Sequence, residues 1–164
     1  VSIFMSCVSV FTYLIVKNAN KIDPKKNTQS PELLQKIAYM IVVFLCAILL
    51  VIIQSSKTGS MKSNQFLMPL IGLLFAGLGN FMHSINPNYF IGMRLPWTLE
   101  DPVNWRKTHQ LGSKIWMIGG MLIAVSSPFL PNTSGFIFSM IVLSVMVVYP
   151  IVFSYRLFKK SKAE

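Results

Sequence analysis

The side chains able to do chemistry in this chain gather in one stretch, residues 80–114. Between Asn80 and Gly112 it holds His83, Asn86, Pro87, Asn88, Tyr89, Gly92, Arg94, Pro96, Trp97, Thr98, Glu100, Asp101, Trp105, Arg106, Lys107, Thr108 and His109. Two histidines and two carboxylates raise the question of a metal. Zinc sites, however, bring their ligands in pairs at short fixed spacing, such as His-Glu-x-x-His, and no such pair is present. Nucleophilic catalysis has no better support. There is no Gly-x-Ser-x-Gly turn or phosphate-binding glycine loop, no carboxylate lies in an apolar run, and Ser126 and Ser127 have no base near them in sequence. Those two hydroxyls are expected to bond back to helix carbonyls. The reading is a protein that is not an enzyme, with no cofactor and no metal. What the residue types support is scaffolding or recognition: Arg94, Arg106, Lys107 and His109 beside Glu100 and Asp101 suit an ion-pair network that fixes the loop, or a positive surface for an acidic partner or lipid headgroup.

The local structure that would position these groups is also legible. Thr98 followed three residues later by Asp101 reads as a capping box, and Pro102 suits a first helical turn, so a helix is expected from about Leu99 into the apolar run beyond. On that helix Trp105, His109, Gly112 and Trp116 fall within about 60° of arc, with Lys107, Gln110 and Lys114 opposite. Tyr89, Trp97 and Trp105 are equally the types that settle at a membrane–water boundary.

The elements around the loop are apolar. Of the 164 residues, 53% are hydrophobic and only 12% charged, well away from the soluble average. Five runs approach the roughly 20 residues that cross a bilayer core: Val1 to Val16, about Leu33 to Ile53, about Phe66 to Met82, about Gly112 to Phe129, and about Gly135 to Tyr155. The chain is therefore expected to be an all-α polytopic membrane bundle of about five transmembrane helices, with an interfacial helix before the fourth. Its net charge of +10 would suggest nucleic acid in a soluble domain, but the basic residues lie only at the ends of apolar runs. They read as topology signals, so no direct nucleic-acid binding is expected. Lys17, Lys21, Lys25, Lys26, Lys36, Arg94, Arg106, Lys107, Lys114, Arg156, Lys159, Lys160 and Lys162 all fall on one side of the alternation, and only Lys57 and Lys62 on the other. Basic loops stay inside, which places the loop 80–114 and the C-terminus in the cytoplasm. Cys7 and Cys46 lie in apolar runs and form no disulfide or zinc pattern.

Punctuation and packing signals follow the same division. Lys57-Thr58-Gly59-Ser60 reads as a polar turn, and Pro131-Asn132 breaks the hairpin between the last two runs. Pro69 is expected in a first helical turn, whereas Pro150 should kink the last helix, with Ser154 recovering a freed carbonyl. Gly72, Ala76 and Asn80 recur at four-residue spacing, with Gly77, Gly79, Gly112, Gly119 and Gly120 nearby. That pattern lets helix backbones approach closely in lipid.

The stretches Gly79-Asn80, Pro87-Asn88-Tyr89-Phe90-Ile91-Gly92-Met93-Arg94-Leu95-Pro96-Trp97-Thr98-Leu99 and Val103-Asn104-Trp105-Arg106-Lys107-Thr108-His109, followed by Gly112, resemble the signature of the SdpI family of bacterial membrane immunity proteins. Ile22-Asp23-Pro24-Lys25-Lys26-Asn27 resembles the end of the small membrane domain that precedes that signature. The resemblance implies two units, the end of an upstream membrane domain at 1–31 and a four-span domain at 32–164. It also implies a chain that begins inside a longer protein, since members carry a further span and an exterior loop upstream. Protection against a secreted peptide toxin is implied as well, together with signalling through a cytoplasmic transcriptional repressor held at the bacterial cell membrane. The residues alone leave a second reading open, a small membrane transporter or lipid-handling protein with Asn80 and the glycine-rich helices along a path. Proton-driven transport, though, usually needs a titratable group at membrane depth, and His83 at a span's edge is the one candidate.

Overall fold

The computed structural model describes residues 2–23, 29–58 and 63–162, and the regular structure among them is entirely helical. Helix α1 covers Ser2–Lys17, α2 Ala19–Ile22, α3 Pro31–Thr58, α4 Ser63–Met82, α5 Pro96–Glu100, α6 Pro102–Ser126 and α7 Asn132–Ser161, with a 3-10 turn at Ser127–Phe129 between the last two. Long apolar runs become helices because each backbone N–H and C=O then finds its partner inside its own segment, which a bilayer requires. Two described helices are long and apolar enough to cross a membrane, Pro31–Lys57 and Asn132–Ser161; Ser6–Lys17 and Phe66–Met82 are shorter apolar helices. These helices fit the expected helical membrane bundle.

Several boundaries move. Helix α3 runs on through Lys57 and Thr58, while Gly59 and Ser60 lie outside the described residues. Because α4 begins at Ser63 rather than Phe66, Pro69 sits in the second turn and not the first. The helix expected from Leu99 is two helices, broken at Asp101, whose backbone is extended (φ −116°, ψ 104°). Pro102 explains the break, because a proline pushes the residue before it out of the helical region.

Neighbouring helices pack in series: α1 on α3, α3 on α4, α4 on α6, and α6 on α7. The α4–α6 contact is backbone against backbone. A methyl group added at Gly72 would lie 2.6 Å from the Ala124 nitrogen and the Gly120 oxygen, and one added at Gly79 would lie 2.6 Å from the Met117 nitrogen. The stripe is thus Gly72, Ala76 and Gly79, not Gly72, Ala76 and Asn80. At about 100° per residue, position 79 returns to within about 20° of 72, whereas 80 has swung about 80° away, and Asn80 is exposed. Elsewhere the missing side chains admit methionines. Met93 fills the space over Gly112, and Met146 that over Gly119, using the flexible thioether to fill irregular gaps. Met68, Ile123 and Met146 form the buried cluster, with Phe75 and Trp116 packed against it edge to face at 4.9 Å.

Pro150 removes the N–H that the Met146 carbonyl would have used within α7. The indole N–H of Trp116 on α6 donates to that carbonyl at 2.9 Å. Ser154 does not serve this purpose; its hydroxyl is turned toward the loop. Of the paired serines, Ser126 bonds back to the Leu122 carbonyl as expected (2.6 Å), but the buried Ser127 hydroxyl has no partner among the described residues.

Candidate functional site

Four sets of buried polar contacts order the segment from Ser84 to Pro102, two holding its own turns and two docking it on α6 and α7. The first is Asn88, almost completely buried, which spends its whole side-chain amide on the turn around it. Its Oδ1 accepts from the amides of Phe90 (2.7 Å) and Ile91 (2.6 Å), and its Nδ2 donates to the carbonyls of Asn86 (2.7 Å) and Ile91 (3.0 Å). An asparagine suits such a turn because its short amide can replace the backbone partners that irregular chain lacks.

The second set is centred on His109, which is 1% exposed. The Met93 amide donates to Nε2 at 3.0 Å, so Nε2 carries the lone pair, and Nδ1–H donates to the Trp105 carbonyl at 2.9 Å. The imidazole is therefore neutral, one nitrogen donating and one accepting. Burial pushes its pKa down to about 4, partly opposed by the Trp105 carbonyl, which favours the charged form. The ring stacks on Trp105 at 4.0 Å, and the Trp105 indole N–H donates to the Ile85 carbonyl at 2.8 Å. Above this pair passes Gly92 with φ +106°, where an added methyl would meet Nε2 at 2.5 Å. Only a residue without a Cβ lets the chain turn here and still lie against the ring.

Thr98 makes the third set. Completely buried, it donates to the carbonyls of Met93 and Leu95 (both 2.9 Å) and accepts from the Leu95 amide (3.1 Å). It thus occupies the third position of α5, not the cap. The capping residue is Asp101, whose Oδ1 accepts from the Val103 amide at 2.8 Å and starts α6. The expected Thr98–Asp101 capping box is therefore two separate devices, one on each side of the break.

The fourth set fastens the loop to α7. Trp97 donates its indole N–H to Ser154 Oγ (2.8 Å), Ser154 donates to Asn104 Oδ1 (2.9 Å), Asn104 Nδ2 returns to the Ser154 carbonyl (3.0 Å), and Thr108 also donates to Asn104 Oδ1 (3.0 Å). The Trp97 ring lies between Tyr155 and Phe158, at 5.5 and 5.9 Å. Asn104, Thr108 and Ser154 are buried, and every polar atom they present to this junction is used.

The remaining expected residues lie at the surface of this cap. Asn80, Tyr89, Pro96 and Lys107 are exposed, and Pro87 is half-buried. Arg94 is also exposed and donates from Nη1 to the Tyr89 carbonyl at 2.7 Å, bracing the turn instead of pairing with a carboxylate. Among the described residues no ion pair joins Arg94, Arg106, Lys107 or His109 to Glu100 or Asp101; Arg94 and Asp101 each bond the backbone instead. Trp105 is buried inside the protein, and its shared face with His109 and Gly112 holds, with Lys107, Gln110 and Lys114 exposed opposite. Two contributors were missed. Asp23 accepts from the Tyr89 amide (2.8 Å), and Gln29 exchanges bonds with the backbone of Asn86 (2.7 and 3.2 Å), which ties the connection after α2 to the loop. Asp23 could have been noticed as the one acidic residue among Lys17, Lys21, Lys25 and Lys26.

Residues 84–154 match the SdpI/YfhL protein family. The likeness to that family is carried by this segment, which is less than half of the chain. Over 90 residues the chain is 33% identical to the immunity protein SdpI of Bacillus subtilis (strain 168), covering 55% of this chain and 43% of that protein's length. No solved structure matches. The SdpI/YfhL segment contains both partners of the Asn88, His109, Thr98 and Trp97–Ser154 contacts, so the match and the polar cap coincide. Asp23 and Gln29 lie outside it.

Proposed function

We propose that this chain acts as a non-enzymatic immunity and signalling protein of the SdpI type in a bacterial cell membrane. The bundle crosses the membrane about five times with its basic loops and C-terminus in the cytoplasm, and the cap 84–102 is the element through which its state is read. The observation that carries the proposal is the cap itself: a connector between two helices needs none of the buried Asn88, His109, Thr98 and Asn104 contacts, whereas a surface held for recognition does. Such a surface presents Tyr89 and Arg94 outward from a rigid base. Toxin protection comes from the likeness to the Bacillus immunity protein, and holding a cytoplasmic repressor is its signalling counterpart.

The test is survival of a sensitive bacterial strain challenged with a membrane-active peptide toxin while expressing the parent protein, or its Arg94→Ala or Trp97→Ala form. Protection by the parent and loss in both variants, with all three proteins found in the membrane, is the expected result. Equal protection by parent and variants would remove the cap from the mechanism. No protection by any of them would remove immunity.

A further inference from the structure

The last turns of α7 bring together a basic cluster that nothing in the cap uses. Arg156 and Lys160 are one turn apart on the same face, where like charges repel, and neither forms an ion pair among the described residues. Across a cleft from Lys160, the start of α6 contributes Lys107; Leu157 and Val103 form the apolar part of its wall. Asp101 also lines this cleft, and its Oδ1 is already engaged by the Val103 amide. Lys162 is turned away over the Phe158 ring at 4.8 Å, so it does not compete for the cleft. Toward the apolar half of α7, Arg156 closes a shallow furrow lined by Val145, Val148 and Val152. Those three valines are 54%, 55% and 42% exposed. From Val145 to Arg156 the furrow runs about 16 Å at helical rise.

A furrow that is apolar along its length and cationic at one end matches one kind of molecule. We infer that the α6–α7 cleft with its furrow is a binding site for an anionic phospholipid, the headgroup phosphate held by Lys107, Lys160 and Arg156 and an acyl chain lying along Val152, Val148 and Val145. Ammonium groups from two helices line one cleft, the carboxylate that shares it is engaged in capping α6, and basic residues immediately beyond an apolar helix attract the anionic inner leaflet. A free phosphate would use the cations and leave the valine furrow without a role. The site also has a consequence for the cap. Lys107 is on the helix that carries Asn104 and His109, and Arg156 follows Ser154 by two residues, so bound lipid would clamp the two helices that the Trp97–Ser154–Asn104 bonds join. The inference rests on α7 being a membrane span.

The experiment is native mass spectrometry of the purified full chain released from vesicles containing equal amounts of phosphatidylglycerol and phosphatidylcholine, repeated for Lys107→Gln/Lys160→Gln, for Arg156→Gln, and for Lys57→Gln at the far end of α3. The parent and Lys57→Gln should retain phosphatidylglycerol preferentially, and the double variant should lose that preference by about thirtyfold, as expected for removing two near-surface cations. Retention unchanged in the double variant, or an equal loss in Lys57→Gln, would overturn the site. So would displacement of the lipid by millimolar glycerol phosphate, which would assign the cations to a soluble anion. Failure of the parent to enter vesicles at all would instead remove the membrane span on which the inference stands.

Discussion

Replacing Gly92 by alanine should undock the cap while leaving the bundle folded. Two costs combine. At φ +106° an L-residue is strained, by about 1–3 kcal/mol. The new methyl would also meet His109 Nε2 at 2.5 Å and the Trp105 ring at 3.3 Å. Neither ring can retreat freely, because His109 is held at both nitrogens and stacked on Trp105, whose indole is itself bonded to the Ile85 carbonyl. Relieving the clash means giving up the Met93–His109 bond and leaving a buried acceptor unpaired, about 1–3 kcal/mol more. A total of about 2–6 kcal/mol corresponds to a shift of about 30-fold to 20,000-fold in the docking equilibrium. Amide hydrogen exchange of the protein in lipid nanodiscs would measure it. Faster exchange is expected for residues 88–99, with the middle of α6 and α7 protected as in the parent. Unchanged exchange over 88–99 would refute the reasoning, and so would a loss spread evenly through α4 and α6.

Three further outcomes are expected from the same geometry. His109 has its folded-state pKa lowered to about 4, so between about pH 6.5 and pH 4 the unfolded chain binds the extra proton; stability should be full above that window and fall by about 3 kcal/mol across it, and denaturation against pH should lose that slope in His109→Gln. Trp97→Phe removes the bond to Ser154 but keeps a ring between Tyr155 and Phe158, and should cost about 1 kcal/mol in chemical denaturation against about 3 for Trp97→Ala; equal costs would show that the hydrogen bond contributes nothing. Trp116→Phe should lower thermal stability by about 1–3 kcal/mol by orphaning the Met146 carbonyl below Pro150, a loss that Trp116→Phe should no longer show when Pro150 is replaced by alanine.

The apolar helices were legible because each has to be long, hydrophobic and free of charge in its middle, three conditions that composition alone displays. The shared face of Trp105, His109 and Gly112 was legible for the same reason that any helical face is: it depends on spacing and not on distant partners. Contacts across the chain were not. Asp101 beside Pro102 carries a cap and a break in one dipeptide, and reading Thr98 as the cap placed α6 three residues too early. Ser154 was assigned to its own helix because nothing in the sequence of α7 points to Asn104, 50 residues away. Charged side chains near one another suggested ion pairs, yet Arg94 found a carbonyl instead. The stripe on α4 was read in steps of four, and a strict step of four drifts off the face by the third position, which is how Asn80 was preferred to Gly79.

The contact between α4 and α6 has a consequence for permeation. With Gly72, Ala76 and Gly79 set against Gly120, Ala124 and the Met117 backbone, not even a methyl group fits at Gly72 or Gly79 unless the facing backbone moves. Along this line the two helices form a closed seam, and a solute carrying as much as a methyl group passes between them only if their backbones are prised apart.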